Sequence, residues 1–221
     1  MAAGRALIVP LAAVPHAARP MLASAARTTV LLRRFIVTYR EDAPGGDSFP
    51  LRTVPPVSLT RLDRTALLAA RTRGHPRWAE RAIGAYSRTG EHAAAWLGLG
   101  LAGAALSRDA RRRRMWLRGV KIVASAYAVN YAVKVTVRRR RPELEELPPL
   151  TPTVSRLSFP SAHATTSFAA ARAYGGLVPA WALYAAAAAF AASRPYLGVH
   201  YPSDVLAGAA LGTAVAEVWP R

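Results

Sequence analysis

Three short segments hold residue types that together suit hydrolysis of a phosphate ester. They are Lys134-x6-Arg141-Pro142, Phe159-Pro160-Ser161-Ala162-His163 and Ser193-Arg194-x5-His200-x3-Asp204. Between them they supply three cations, two imidazoles and one carboxylate. Cations can hold phosphate oxygens, one imidazole can attack phosphorus, the other can protonate the departing oxygen, and the carboxylate can orient the attacker. Lys134 sits inside an apolar run (126–137), where an ionisable group is costly unless it has a task. Lysine is otherwise scarce, two among 30 basic residues, which fits a position that wants a compact point charge.

The local pattern suggests how each segment is held. Ser158 and Pro160 read as a helix cap and first-turn residue. That start places Ser161, Ala162 and His163 in a first turn, where free N–H groups and the helix dipole favour an anion. Pro202 and Ser203 read as a second helix start, with Asp204 in its first turn and His200 just outside. A carboxylate four residues from His200 can accept the proton on one ring nitrogen and leave the other free to attack. Lys134 falls about two helical turns before Arg141, with Pro142 stopping that helix. The arginine run 138–141 otherwise reads as a solvated or lipid-facing helix end.

The order and spacing of these segments resemble the signature of the type 2 phosphatidic acid phosphatase superfamily, which includes lipid phosphatases and vanadium-dependent haloperoxidases. The resemblance covers roughly the C-terminal two-thirds of the chain. It implies that His200 is the nucleophile of a phosphohistidine intermediate, Asp204 its orienting partner and His163 the general acid. Lys134, Arg141, Ser161, Ala162 and Arg194 are then the phosphate-binding residues. The family usually has glycine where this chain has Ala162, which keeps the N–H donor but adds a methyl group. Residues 157–165 and 197–204, with Gly90-Glu91-His92, are similar to actinobacterial polyprenyl-linked phosphatases. That similarity implies a prenyl-linked lipid monophosphate or diphosphate as substrate, in cell-envelope precursor synthesis. Phosphatidate, phosphatidylglycerophosphate and undecaprenyl diphosphate are the alternatives, since all share the phosphate site. No metal or other cofactor is implied. A metal site at His163, His200 and Asp204 is the competing reading, but three cations aimed at the same place repel a metal.

These residues need helices to bring them together. Hydrophobic residues make up 52% of the chain and come in runs, at 92–107, 119–137, 163–178, 179–192 and 204–219. The expected fold class is all-α, a transmembrane helical bundle of about five spans with an N-terminal amphipathic helical region. Five spans bring all three motifs to one face. Several runs fall short of the ~20 residues of a comfortable span, so a water-soluble alanine-rich bundle is the alternative. Small residues, including Gly208-x3-Gly212, let helices approach closely. Three domains are expected: 1–57, a poorly structured basic segment with a faint signal-like stretch at 6–14; 58–89, amphipathic membrane-surface helices; and 90–221, the phosphatase bundle. In the second, Leu62, Ala66 and Ala69/Ala70 form one apolar face, followed by Trp78, Ile83 and Tyr86. A helix packed on the bundle is the other reading of that segment.

The net charge of +18 invites a nucleic-acid reading. Here the arginines flank apolar runs or sit inside motifs, which fits anionic lipid headgroups. The expected partners are a membrane and a lipid phosphate substrate, with no nucleic acid. The loop 107–118 holds six arginines against one aspartate, which suggests a cytoplasmic loop and an active site on the extracytoplasmic face of the cell membrane. The chain has no cysteine, so disulfides and thiolate metal sites are excluded.

Overall fold

The computed structural model describes residues 59–220; the expected basic segment 1–57 lies outside them. All regular elements among the described residues are helices: α1 (Leu59–Thr72), α2 (Arg77–Thr89), a 3-10 turn (Glu91–Ala93), α3 (Ala94–Leu106), α4 (Ala110–Val137), α5 (Ala162–Tyr174), α6 (Ala180–Tyr196) and α7 (Pro202–Val218). The five apolar runs become α3 to α7. α5 lies at the centre, packed by α4, α6 and α7, and most of its side chains are buried. Small residues make that possible. A Cβ at Gly208 would lie 2.5 Å from the Ser161 carbonyl oxygen, and one at Gly212 would collide with the Thr165 carbonyl, so α7 presses on α5 backbone to backbone.

Alternating helix direction gathers the C-terminal ends of α4 and α6, the N-terminal ends of α5 and α7, and the 3-10 turn at one end of the bundle. The other end is tied by arginines. Arg112 donates to the Leu177 carbonyl at 3.0 Å and Arg118 to the Pro220 carbonyl at 3.0 Å.

Four boundaries differ from the sequence expectation. α4 begins at Ala110, so the arginine run after Asp109 is helix rather than loop; Asp109 caps it, accepting from Arg112 N at 2.6 Å. α4 ends at Val137, well before Pro142, because Arg138 turns left-handed (φ 58°). Arg141 is therefore not two helical turns beyond Lys134 but lies in an extended segment, where Arg140 bridges Leu157. α5 starts at Ala162 with Ser161 as its cap, later than Ser158 and Pro160 suggest. The run 163–178 stops at Tyr174, and α6 begins only at Ala180.

α1 and α2 pack on α6. The face that α1 buries is not Leu62, Ala66 and Ala69/Ala70 but Asp63, Leu67 and Arg71, while Leu62 stays 56% exposed. Buried hydrogen bonds decide this: Arg71 donates to the Pro148 carbonyl at 2.9 Å, and Asp63 joins the network below. From α2, Tyr86 stacks on Phe190 at 4.2 Å, while Trp78 stays exposed. No helix among the described residues is long and apolar enough to cross a membrane. α4 alone has the length, ~42 Å for its 28 residues, and it is interrupted by charge.

Candidate active site

The helix ends surround a cavity of about 140 Å³, far above the ~10–15 Å³ that admits one water. Lys134, Arg141, Ala162, His163, Arg194 and His200 line it. Of the expected site residues, Asp204 and Ser161 stand behind this lining. Asp204 is wholly buried beneath His200. Ser161 is also buried, with its hydroxyl turned to the helix, 3.5 Å from Ala164 N as a cap.

His200 sits in the link between α6 and α7. Its Nδ1 faces Asp204 Oδ2 at 3.4 Å and makes no shorter bond, a separation that substrate binding can tighten. Arg141 Nη1 approaches Nε2 at 3.0 Å. A guanidinium only donates, so Nε2 carries the lone pair and the ring proton belongs on Nδ1, towards the carboxylate. This is the tautomer a nucleophilic Nε2 requires. Burial foremost, then the charges of Arg141, Arg194 and Lys134, hold the His200 pKa well below its ordinary value, so the ring stays neutral.

Asp204 is fixed by two hydrogen bonds, one to each oxygen. Oδ2 accepts from Tyr201 N at 2.9 Å, which also caps α7. Oδ1 accepts from Arg139 Nη1 at 2.7 Å, and Arg139 Nη2 reaches Asp63 Oδ2 at 2.8 Å. Asp63 further accepts from Ser203 N at 2.9 Å and from the Ser203 hydroxyl. The Arg139 guanidinium lies 4.1 Å over the Tyr201 ring. Two carboxylates and one guanidinium, all nearly excluded from water, thus form a chain from α1 to the His200 partner.

His163 is the second residue of α5. Its Nε2 lies 3.0 Å from the Ser87 carbonyl, so that nitrogen carries a proton and Nδ1 remains for proton exchange. The Ser87 hydroxyl accepts from Arg194 Nη1, and Ser193 lies 3.2 Å from it. Arg194 Nε is buried without a partner. An unpaired buried donor beside other cations marks where an oxyanion belongs. Lys134 Nζ bonds the carbonyls of Leu157, Ser158 and Pro160 at 3.4, 3.3 and 3.0 Å, so it also secures the segment leading into α5. Arg141 is anchored by the Ser155 and Val199 carbonyls, each at 2.7 Å. Burial lowers its pKa to about 10, which leaves it charged at neutral pH.

Sequence reasoning missed Arg139, Asp63 and Ser87. Arg139 had a signal: the residue before a proline avoids helical geometry, so Arg141 should be extended, and alternation then turns Arg139 and Arg141 to the same side. Asp63 is the one acidic residue of α1. For Ser87 no sequence signal exists. Among the described residues, no three His, Asp or Glu side chains converge as a metal site would need.

The chain is similar to proteins already known. A family model described as the PAP2 superfamily matches residues 116–221, which include all three motifs. A protein of Mycobacterium tuberculosis named decaprenylphosphoryl-5-phosphoribose phosphatase is 44% identical over 142 residues, covering 60% of this chain and 73% of the relative. One of the same name from Mycolicibacterium smegmatis is 46% identical over 126 residues, covering 56% and 68%. In fold, the chain is similar to a transmembrane PAP2-type phosphatidylglycerolphosphate phosphatase from Bacillus subtilis (TM-score 0.61, 21% identity, 86% of this chain and 92% of that one). It is also similar to a bacterial vanadium-dependent iodoperoxidase (TM-score 0.60, 16% identity, 78% and 51%).

Proposed function

The chain belongs to the PAP2 superfamily, and from that premise we propose that it removes the phosphate monoester of a prenyl-linked sugar phosphate in cell-envelope precursor synthesis. The observation that carries this reading is His200, with Nε2 turned to a three-cation pocket where Arg141 donates to it and a buried carboxylate behind Nδ1. Relatives at 44% and 46% identity bear the name of a decaprenylphosphoryl-5-phosphoribose phosphatase, which supports the substrate class.

The residues suggest two steps. Arg141 leaves Nε2 for the phosphate oxygens and, with Arg194 and Lys134, offsets their charge. The N–H groups of Ala162 and His163, which have no acceptor within their helix, add donors. Nε2 then forms the P–N bond as the ester P–O bond breaks; His163, neutral until the phosphate binds, takes a proton at Nδ1 from the incoming phosphate monoanion and gives it to the leaving alkoxide. Asp204 stabilises the imidazolium side of His200. In the second step His163 takes a proton from water, hydroxide attacks phosphorus, and the P–N bond breaks to release inorganic phosphate.

The perimeter supports a membrane location. Leu101, Leu106, Trp181 and Leu206 point outward and are more than half exposed, as on a bundle solvated by hydrocarbon. The segment 107–118, at the end opposite the site, holds six arginines against five in the 138–161 link at the site end, a small difference that by the positive-inside tendency leans towards an extracytoplasmic active site. The chain has no cysteine, so single cysteines at Thr153 and Arg108 can be labelled with an impermeant maleimide in intact cells; this reading requires labelling at Thr153 and not at Arg108. Substrate class is tested by comparing decaprenylphosphoryl phosphoribose, undecaprenyl diphosphate, phosphatidylglycerophosphate and phosphatidate, with chelator present. A preference of at least ~10-fold in kcat/KM for the first is expected, about 1.4 kcal/mol; a preference for a glycerolipid contradicts it.

A further inference from the structure

The cavity has a second wall that phosphoryl transfer does not use. Glu91, His92 and Tyr127 line it, in the same cavity as Arg194 and His200. The chain holds them there at a conformational cost, since His92 and Ala93 both take positive φ, 52° and 61°. Such geometry in non-glycine residues persists only where the surroundings impose it, and it concentrates at ligand sites. Gly90 seats this turn on the general acid: a Cβ there would lie 2.9 Å from His163 Cδ2 and 2.7 Å from Phe190 Cε1. His92 Nδ1 lies 2.9 Å from the Tyr127 hydroxyl, which fixes the ring and leaves Nε2 for a ligand.

Glu91 is the informative member. Its charge supports that of Arg194, yet a carboxylate on the wall of a pocket that receives a dianion also repels that dianion, so phosphate alone does not account for it. Among the described residues its side chain accepts no hydrogen bond. Carboxylate, imidazole and phenol side by side match a different ligand chemistry, that of adjacent hydroxyl groups, which donate to the carboxylate and exchange bonds with the ring nitrogen and phenol.

We propose that Glu91, His92 and Tyr127 form a subsite for the vicinal hydroxyls of a sugar whose phosphate lies against His200. The subsite rests on the phosphatase reading and sharpens it: the preferred head group is a polyhydroxylated alkyl phosphate, such as a pentose 5-phosphate, rather than a bare prenyl diphosphate or a glycerolipid phosphate.

Ribose 5-phosphate and n-pentyl phosphate test this on the full chain in detergent, because both release a primary alkoxide and differ in hydroxyls. Wild type should prefer ribose 5-phosphate by at least ~10-fold in kcat/KM. Glu91→Gln should lower kcat/KM for ribose 5-phosphate and raise it for pentyl phosphate, where only the repulsion is lost. Tyr127→Phe, a second and milder variant, should also lower the ratio. Equal losses on both ligands in both variants, or no preference in wild type, would overturn the subsite and leave the phosphatase reading standing. Calorimetric titration of the two ligands reads the preference without turnover. Preferential binding of ribose 5-phosphate by a protein that hydrolyses neither ligand would keep the subsite and overturn the phosphatase reading.

Discussion

Arg139 holds one oxygen of Asp204 at 2.7 Å and so determines which oxygen is left to face His200. Its other guanidinium nitrogen is held by Asp63 from α1, a helix outside the residues that match the family model. The orientation of the nucleophile therefore depends on an element far from it in sequence.

Arg139→Lys keeps the charge but loses the planar fork that spans two carboxylates. Since Arg139 acts through Asp204, kcat should fall by roughly 10-fold to 100-fold, on the scale of a small misplacement of a reacting group, with little change in KM. A rise in KM at unchanged kcat would instead make Arg139 a substrate contact. Arg139→Met strands two buried carboxylates and should destabilise the protein by about 3–5 kcal/mol, measured by denaturant or thermal unfolding.

The depressed pKa of His200 has a defined sign in stability. The unfolded chain binds this proton near pH ~6.5 while the folded chain does not. This contribution is complete above pH ~6.5 and is lost as pH falls below it, at up to ~1.4 kcal/mol per pH unit. Wild type should lose more stability than His200→Gln between pH 7.5 and 5.5. Parallel losses in the two proteins would mean that folded His200 protonates normally.

The two histidines should separate by leaving group. His163→Ala removes the acid, which matters for a lipid or sugar alkoxide and little for nitrophenolate, which departs unprotonated. This variant should keep far more of its kcat/KM, which reports the first step, on p-nitrophenyl phosphate than on the lipid phosphate, although its kcat falls on both because the same residue activates water; His200→Ala loses both. Equal losses in the two variants would contradict the assigned roles.

Much of this site was legible because its residues sit at helix ends whose signals are local. Pro202 and Asp204 announce the start of α7, and Lys134 stands out in an apolar run. The spacing of the flanking motifs distinguishes His163 and His200 from ordinary surface histidines. Arg139 was hidden in a run of four arginines that helical periodicity cannot resolve; the extended geometry that Pro142 imposes on Arg141 was its signal, and the left-handed turn at Arg138 is where the helix gives way to it. The inward face of α1 was illegible for another reason. An apolar stripe competes with a buried ion pair, and the partner of Asp63 lies 76 residues away. The roles of Ser87, as acceptor for His163 and for Arg194, come entirely from tertiary packing.

Covalent trapping tests the central claim most directly. The full chain, quenched during turnover of a 32P-labelled phosphate monoester, should carry label that is acid-labile and alkali-stable, as a phosphohistidine is. That label should map to His200, accumulate in His163→Ala with p-nitrophenyl phosphate, where water activation is impaired, and be absent in His200→Ala. Label that survives in His200→Ala, or a wild type that turns over without any phosphoenzyme, would contradict the account.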